Sequence, residues 1–134
     1  MYLVDTSVWI DFLRGTENAW TSLLEALLRE GEAGICPMVY AEICFGAQDE
    51  LQLARYRKKF AALPMFTLPD TWHEDAATMG FALRRKGHKP FIADMMIALT
   101  AIKHELPLIS KDSDFAIYTK LFGLTLNPIN HWKN

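Results

Sequence analysis

The 134-residue chain has no excess of positive charge, no cysteine pair at metal or redox spacing, no long apolar run and no glycine-rich phosphate loop. Each absence removes a class of function. A formal net charge of −2 excludes a uniformly basic nucleic-acid coat, although a local basic surface would still serve a binder of RNA or DNA. Cys36 and Cys44 form no CxxC pair and are read as reduced core residues rather than a disulfide. No apolar run reaches the roughly 18 residues of a membrane span. The N-terminus lacks the basic region, apolar stretch and small-residue cleavage site of a secretory signal, so a cytoplasmic protein with no membrane partner is expected. HExxH and GxSxG are missing and the four histidines are scattered, which leaves a His-based hydrolase without support.

What is present suits a soluble α/β domain. At 51% hydrophobic and 22% charged residues the chain can bury a core, and the absence of repeats or a Pro/Gly-rich linker points to one domain over residues 1–134. Residues 2–5 read as a short buried strand, followed by a helix from Ser7 to Leu13 that stops at Gly15 and is capped by Thr6 or Ser7. Trp20, Leu23, Leu24, Leu27 and Leu28 form one stripe of a helix over 17–30. "AGIC" (33–36) is a strand, and Pro37 opens a helix through Phe45. Helices are expected over 49–62, from Asp70 or Thr71 to "RRKG", over 91–104 and in "FAIYTKLFG"; strands are expected at "MFTL", "PLIS" and, as an edge, "LTLNPI". Short strands alternating with helices imply a layered α/β domain around a parallel sheet.

A few carboxylates sit in apolar company. Glu42 lies within "PMVYAEICFGA" and Asp94 within "PFIADMMIALTAI", where helical spacing puts each on an apolar face. Burying a lone carboxylate costs several kcal/mol, about the scale at which a partner becomes necessary. No basic residue shares either apolar run, which favours a cation over a salt bridge. Asp5 and Asp112 each follow an apolar strand where a helix begins, the edge of a parallel sheet at which sites form. Either one taken alone is a cap. The four together suggest oxygen-only ligands for Mg²⁺ or Mn²⁺ and metal-assisted phosphodiester hydrolysis. Asp114 reads as a cap or an outer acid, Asp11 as a residue that orients the site or faces solvent, and "HED" (73–75) as solvated surface. Two basic clusters, Arg55–Lys59 and Arg84, Arg85, Lys86, His88 and Lys89, are solvated helix faces or RNA-backbone contacts.

With these residues in place the chain resembles the PIN-domain ribonucleases, and within them the VapC-type toxins of bacterial toxin–antitoxin pairs. The matching stretches are "LVDTSVWIDFLRG" (3–15), "MVYAEICFGA" (38–47) and "ADMMIALTAIKHELPLISKDSDF" (93–115). The resemblance implies a three-layer α/β/α sandwich with a mainly parallel sheet of about five strands. It implies an endoribonuclease using one or two Mg²⁺ or Mn²⁺ ions held by Asp5, Glu42, Asp94 and Asp112. Thr6 matches a hydroxyl that holds the first carboxylate or a metal-bound water, Ser110 a hydroxyl before the fourth acid, and Asp114 an outer acid. Arg84, Arg85, Lys86 and Lys89 would then hold RNA. A homodimer, a small VapB-like antitoxin that occludes the acidic crevice, and structured RNA such as tRNA or rRNA are the implied partners. The stretch before Asp94, "GHKPFIAD", departs from the regular pattern.

Two rivals differ in class. A non-catalytic module would use the same acids to bind a basic partner and would need no metal. A phosphotransfer domain with Asp5 as acceptor would want a second Asp two residues on, where Ser7 stands.

Overall fold

The computed structural model describes residues 1–128. Tyr2, Leu3 and Val4 form β1 (Tyr2–Val4), the centre of a parallel sheet in the order β2-β1-β3. Its neighbours are β2 (Ala33–Gly34) and β3 (Leu108–Ile109), in register Leu3↔Gly34 and Val4↔Ile109. Leu3, Val4 and Leu108 are fully buried, as expected of parallel strands covered on both faces. Because β1 and β3 run in parallel, Asp5 and Ser110 leave the sheet side by side at the same carboxyl edge, where Asp5 N–H donates to the Ile109 carbonyl at 2.8 Å.

Helices connect and cover the strands. α1 (Thr6–Leu13) and α2 (Ala19–Arg29) join β1 to β2. α3 (Pro37–Phe45), α4 (Glu50–Ala61), α5 (Trp72–Arg85) and α6 (Ile92–Lys103) lie between β2 and β3. α7 (Ala116–Phe122) follows a 3-10 turn over Ser113–Phe115. α1 packs on α2 and α3, α3 on α4 and α6, and α5 on α6. The α2 stripe is buried at Leu23, Leu24 and Leu27. Its start is fixed by Asn18, whose side chain accepts from Thr21 N–H while Thr21 Oγ1 accepts from Asn18 N–H, a reciprocal capping box. Trp9, fully buried on α1, meets the Phe60 ring of α4 edge-on at 5.0 Å between centroids.

The α/β class with a parallel sheet stands, but among the described residues the sheet has three strands, not about five. "MFTL" contributes one bridged residue, Met65 opposite Ile35, and "LTLNPI" contributes one, Leu126 opposite Leu108; Ile129 lies outside the described residues. Both segments are stopped locally. Pro64 and Pro69 bracket the first and lack the N–H that a ladder needs. Asn127, at φ +48°, turns the second off the sheet.

Candidate functional site

The carboxyl edge gathers the first cluster of polar groups. Asp5, 4% exposed, is itself the N-cap of α1, and the expected capping by Thr6 or Ser7 does not occur. Its Oδ2 accepts from Ser7 N–H at 3.4 Å, Ser7 Oγ at 2.7 Å and Ser110 Oγ at 2.8 Å. Among the described residues Oδ1 takes no hydrogen bond, so capping and an open carboxylate oxygen coexist in one side chain. Ser110, 1% exposed, also accepts from Asp112 N–H at 3.0 Å. Asp112 caps the 3-10 turn by accepting from Asp114 N–H at 2.9 Å. Both strand-end aspartates therefore play the same local part, each opening a helical turn.

Glu42 and Asp94 approach from the helices. Glu42 is exposed, contrary to its expected place on a buried face; Phe45, one turn further along α3, is exposed as well, so that face of α3 turns outward. Thr6 Oγ1 donates to Glu42 Oε1 at 2.8 Å, and thus holds this acid rather than Asp5. Asp94 is half-buried in the first turn of α6, where the helix N-terminus favours negative charge. Even so its carboxyl is pushed up to about 6, first by burial and then by the charges of Asp112, Asp5, Asp114 and Glu42.

Carboxylate oxygens of Asp94, Asp112 and Asp114 lie within 4.8 Å of one another, close enough to share one cation. Asp114, expected as an outer acid, is one of these three. Asp5 and Glu42 stand outside that spacing but near enough to raise Asp94. Lys111, between Ser110 and Asp112, is committed elsewhere: its Nζ donates to Asp11 Oδ2 at 2.6 Å. The donor set is all carboxylate oxygen with an uncompensated excess of negative charge, which fits a hard divalent cation and not zinc.

Asp94 and Asp114 open into a cleft of about 270 Å³ whose other walls include His88, Lys89, Phe91 and Tyr118. Burial, then Asp94 and Asp114, push the Tyr118 phenol up to about 12, so it stays protonated. Of the basic residues expected to meet RNA, Lys89 lines this cleft, while Arg84 and Arg85 lie in the last turn of α5 and Lys86 caps it. Arg85 sits 5.8 Å from the centre of the exposed Phe81 ring. On α4, Lys59 lies 5.2 Å from the Phe12 ring centre. Asp11 neither joins the acids nor faces water freely. It takes Lys111 and Asn18 Nδ2 (3.0 Å), and the Lys111 hydrogen bond holds its carboxyl below the usual range. Of "HED", His73 and Glu74 are exposed and Asp75 pairs with Lys103 of α6 at 3.0 Å.

Sequence reasoning passed over Tyr118 and Asn127. Tyr118 follows Asp114 by one helical turn, a spacing that was available. Asn127 Oδ1 accepts from Ser110 N–H at 2.8 Å and its Nδ2 donates to the Ser110 carbonyl at 2.7 Å. Nothing local to "LTLNPI" signals that contact.

The PIN domain family profile matches residues 2–121. The VapC ribonuclease Mb1587 of Mycobacterium bovis is 30% identical over 128 residues, 92% of this chain and 96% of the relative. Ribonuclease VapC11 of Mycobacterium tuberculosis matches with the same identity and coverage. Among solved structures, the VapBC2 complex of Rickettsia felis bound to a promoter DNA fragment superposes with a TM-score of 0.75 at 19% identity, covering 93% of this chain and 96% of the other. A toxin–antitoxin complex from Klebsiella pneumoniae gives 0.71 at 23% identity, with the same coverage. At those identities the structural likeness speaks for the fold.

Proposed function

The chain belongs to the PIN-domain family, and on that premise we propose that it is the endoribonuclease toxin of a VapBC-type toxin–antitoxin pair. It would act in the cytoplasm as a single nuclease domain over residues 1–134, on structured RNA such as tRNA or rRNA. The observation that supports this most is the convergence of Asp94, Asp112 and Asp114 at the carboxyl edge of the sheet, with Asp5 and Glu42 bearing on them. Asp94, Asp112 and Asp114 would hold Mg²⁺ or Mn²⁺, with Asp5 and Glu42 completing the acid set for one ion or two. When bound, such ions polarise a phosphoryl oxygen and lower the pKa of water.

The protein's own groups then have distinct tasks. Ser7 and Ser110 fix the Asp5 carboxylate through Oδ2 and leave its other oxygen for the site. Thr6 holds Glu42 through Oε1. Lys89 on the cleft wall holds the RNA backbone, with Arg84, Arg85 and Lys86 further out. Tyr118, protonated at neutral pH, is a hydrogen-bond donor on the cleft wall, and burial and then the nearby acids push its phenol further up. A small VapB-like antitoxin would cover the acidic cleft. The exposed apolar side chains Phe45, Leu51, Phe81, Phe91 and Ile92 offer contact area for that partner and for a second copy of the chain in a homodimer.

The test is RNA cleavage by the chain purified with its antitoxin and then released from it, with and without Mg²⁺ or Mn²⁺. Asp94→Asn and Asp5→Asn should each lower the rate by about 100-fold or more, the scale on which loss of a positioned electrostatic group acts. Circular dichroism should show the fold intact. Cleavage that persists in either variant refutes the assignment. RNA left intact by the released wild-type chain in the presence of Mn²⁺, together with partner binding that needs no metal, would leave the non-catalytic module in its place.

A further inference from the structure

We propose that Asn127 is a positioning residue of the acidic site, acting through Ser110; this rests on the metal-dependent reading above. β3 ends at Ile109, yet Ser110 is held as though the ladder continued. Leu108 N–H donates to the Thr125 carbonyl and Asn127 N–H to the Leu108 carbonyl, both at 2.8 Å. Beyond that point the backbone leaves the sheet at Asn127, whose φ of +48° an asparagine tolerates. Its side-chain amide then takes the place of the missing strand, accepting from Ser110 N–H and donating to the Ser110 carbonyl. One amide thus satisfies both main-chain groups of a residue that is 1% exposed.

The clamped residue links two acids. Ser110 gives its one hydroxyl proton to Asp5 Oδ2 at 2.8 Å and accepts from Asp112 N–H at 3.0 Å. A shift or rotation of the Ser110 backbone would therefore move the Asp5 carboxylate and the start of the turn that carries Asp112 and Asp114. Outer groups that fix ligand orientation typically change metal affinity by about 10- to 100-fold when removed. The competing role for Asn127 is purely structural, ending an edge segment and adding stability alone.

Asn127→Gly separates the two. Glycine keeps the positive φ and the backbone N–H to Leu108 while deleting the amide. Mn²⁺ affinity of the metal-free full chain, read by calorimetric titration or by Mn²⁺ electron paramagnetic resonance without RNA, should fall by about tenfold. In a Ser110→Ala background, where the hydroxyl links to Asp5 and Asp112 are gone, Asn127→Gly should cause a smaller loss of affinity, whereas its effect on melting temperature should persist undiminished. If the glycine variant fails to fold, Asn127→Asp serves in the same cycle, since it keeps an acceptor for Ser110 N–H and removes the donor to the carbonyl. Unchanged Mn²⁺ affinity, or a loss equally large with and without the Ser110 hydroxyl, overturns the proposal. A wild-type chain that binds no Mn²⁺ overturns it together with the metal site. One that binds Mn²⁺ but cuts no RNA overturns only the ribonuclease reading.

Discussion

Asp94 carries the sharpest electrostatic conflict among the described residues. Its place in the first turn of α6 favours a carboxylate, but burial and four neighbouring acids oppose the charge strongly enough to bring its folded pKa to about 6 from the ordinary 3.8. A carboxyl whose folded pKa lies above its unfolded value binds its proton more tightly in the folded chain. Its contribution to stability is therefore fully present below pH 3.8 and is lost as pH rises through about 6. The metal-free protein should accordingly lose melting temperature across that window, and Asp94→Asn should flatten the loss. Added Mg²⁺ or Mn²⁺ should reverse it, because a cation relieves the repulsion that the proton relieved. Thermal scans from pH 4 to pH 7 with and without metal would check this; a melting temperature that rises through the same window for wild type would contradict it. Lys111 illustrates the converse at this scale, as its pairing with Asp11 commits the cation next to Asp112 in sequence to an acid outside the cluster.

At the scale of elements, the short strands place the site and close contacts hold them. On β2, an added Cβ at Gly34 would lie 2.5 Å from the Phe66 ring edge, so glycine is what lets the segment after α4 lie against the sheet. Gly34→Ala should destabilise the chain by about 1–3 kcal/mol, the usual range for overpacking. A lower urea midpoint at unchanged slope would show this, and an unchanged midpoint would mean that the half-buried Phe66 ring yields without cost. The helices were legible in the sequence because their signals are local: Leu23, Leu24 and Leu27 repeat with the helical period, and Pro37, Gly31 and Gly87 punctuate. The outer strands were not, because "MFTL" and "LTLNPI" have strand composition but their pairing is decided by whether the neighbouring backbone continues. The order Asp5, Glu42, Asp94, Asp112 could be read from context, whereas the exposure of Glu42 could not, since Phe45 gives α3 an apolar face that the fold leaves uncovered. Asp114 and Asn127 depend on how a turn and a terminal segment close on Ser110, which no window of sequence reports.

For the molecule as a whole the electrostatic problem is to bring a polyanion to a cluster of acids on a chain of net charge −2. A bound divalent ion offsets part of the repulsion at the cluster itself. The rest must come from cations at the rim, and the run from Arg84 to Lys89 leads from the end of α5 into the cleft wall. Phosphate contacts release counterions, so each should contribute about 0.7 to the slope of log affinity against log salt for a single strand. With cleavage disabled by Asp94→Asn, replacing Arg84, Arg85 and Lys86 by Gln should shallow that slope by up to about 2. The same change on Arg55, Arg57 and Lys58 of α4 serves as a measure of nonspecific charge loss. Fluorescence anisotropy of a labelled RNA between low and moderate salt would resolve the difference. If the two triple variants shallow the slope equally, bulk charge rather than the cleft rim attracts the RNA. If neither changes it, Arg84 and Arg85 serve only to complement the C-terminal dipole of α5, and Lys89 alone must meet the backbone.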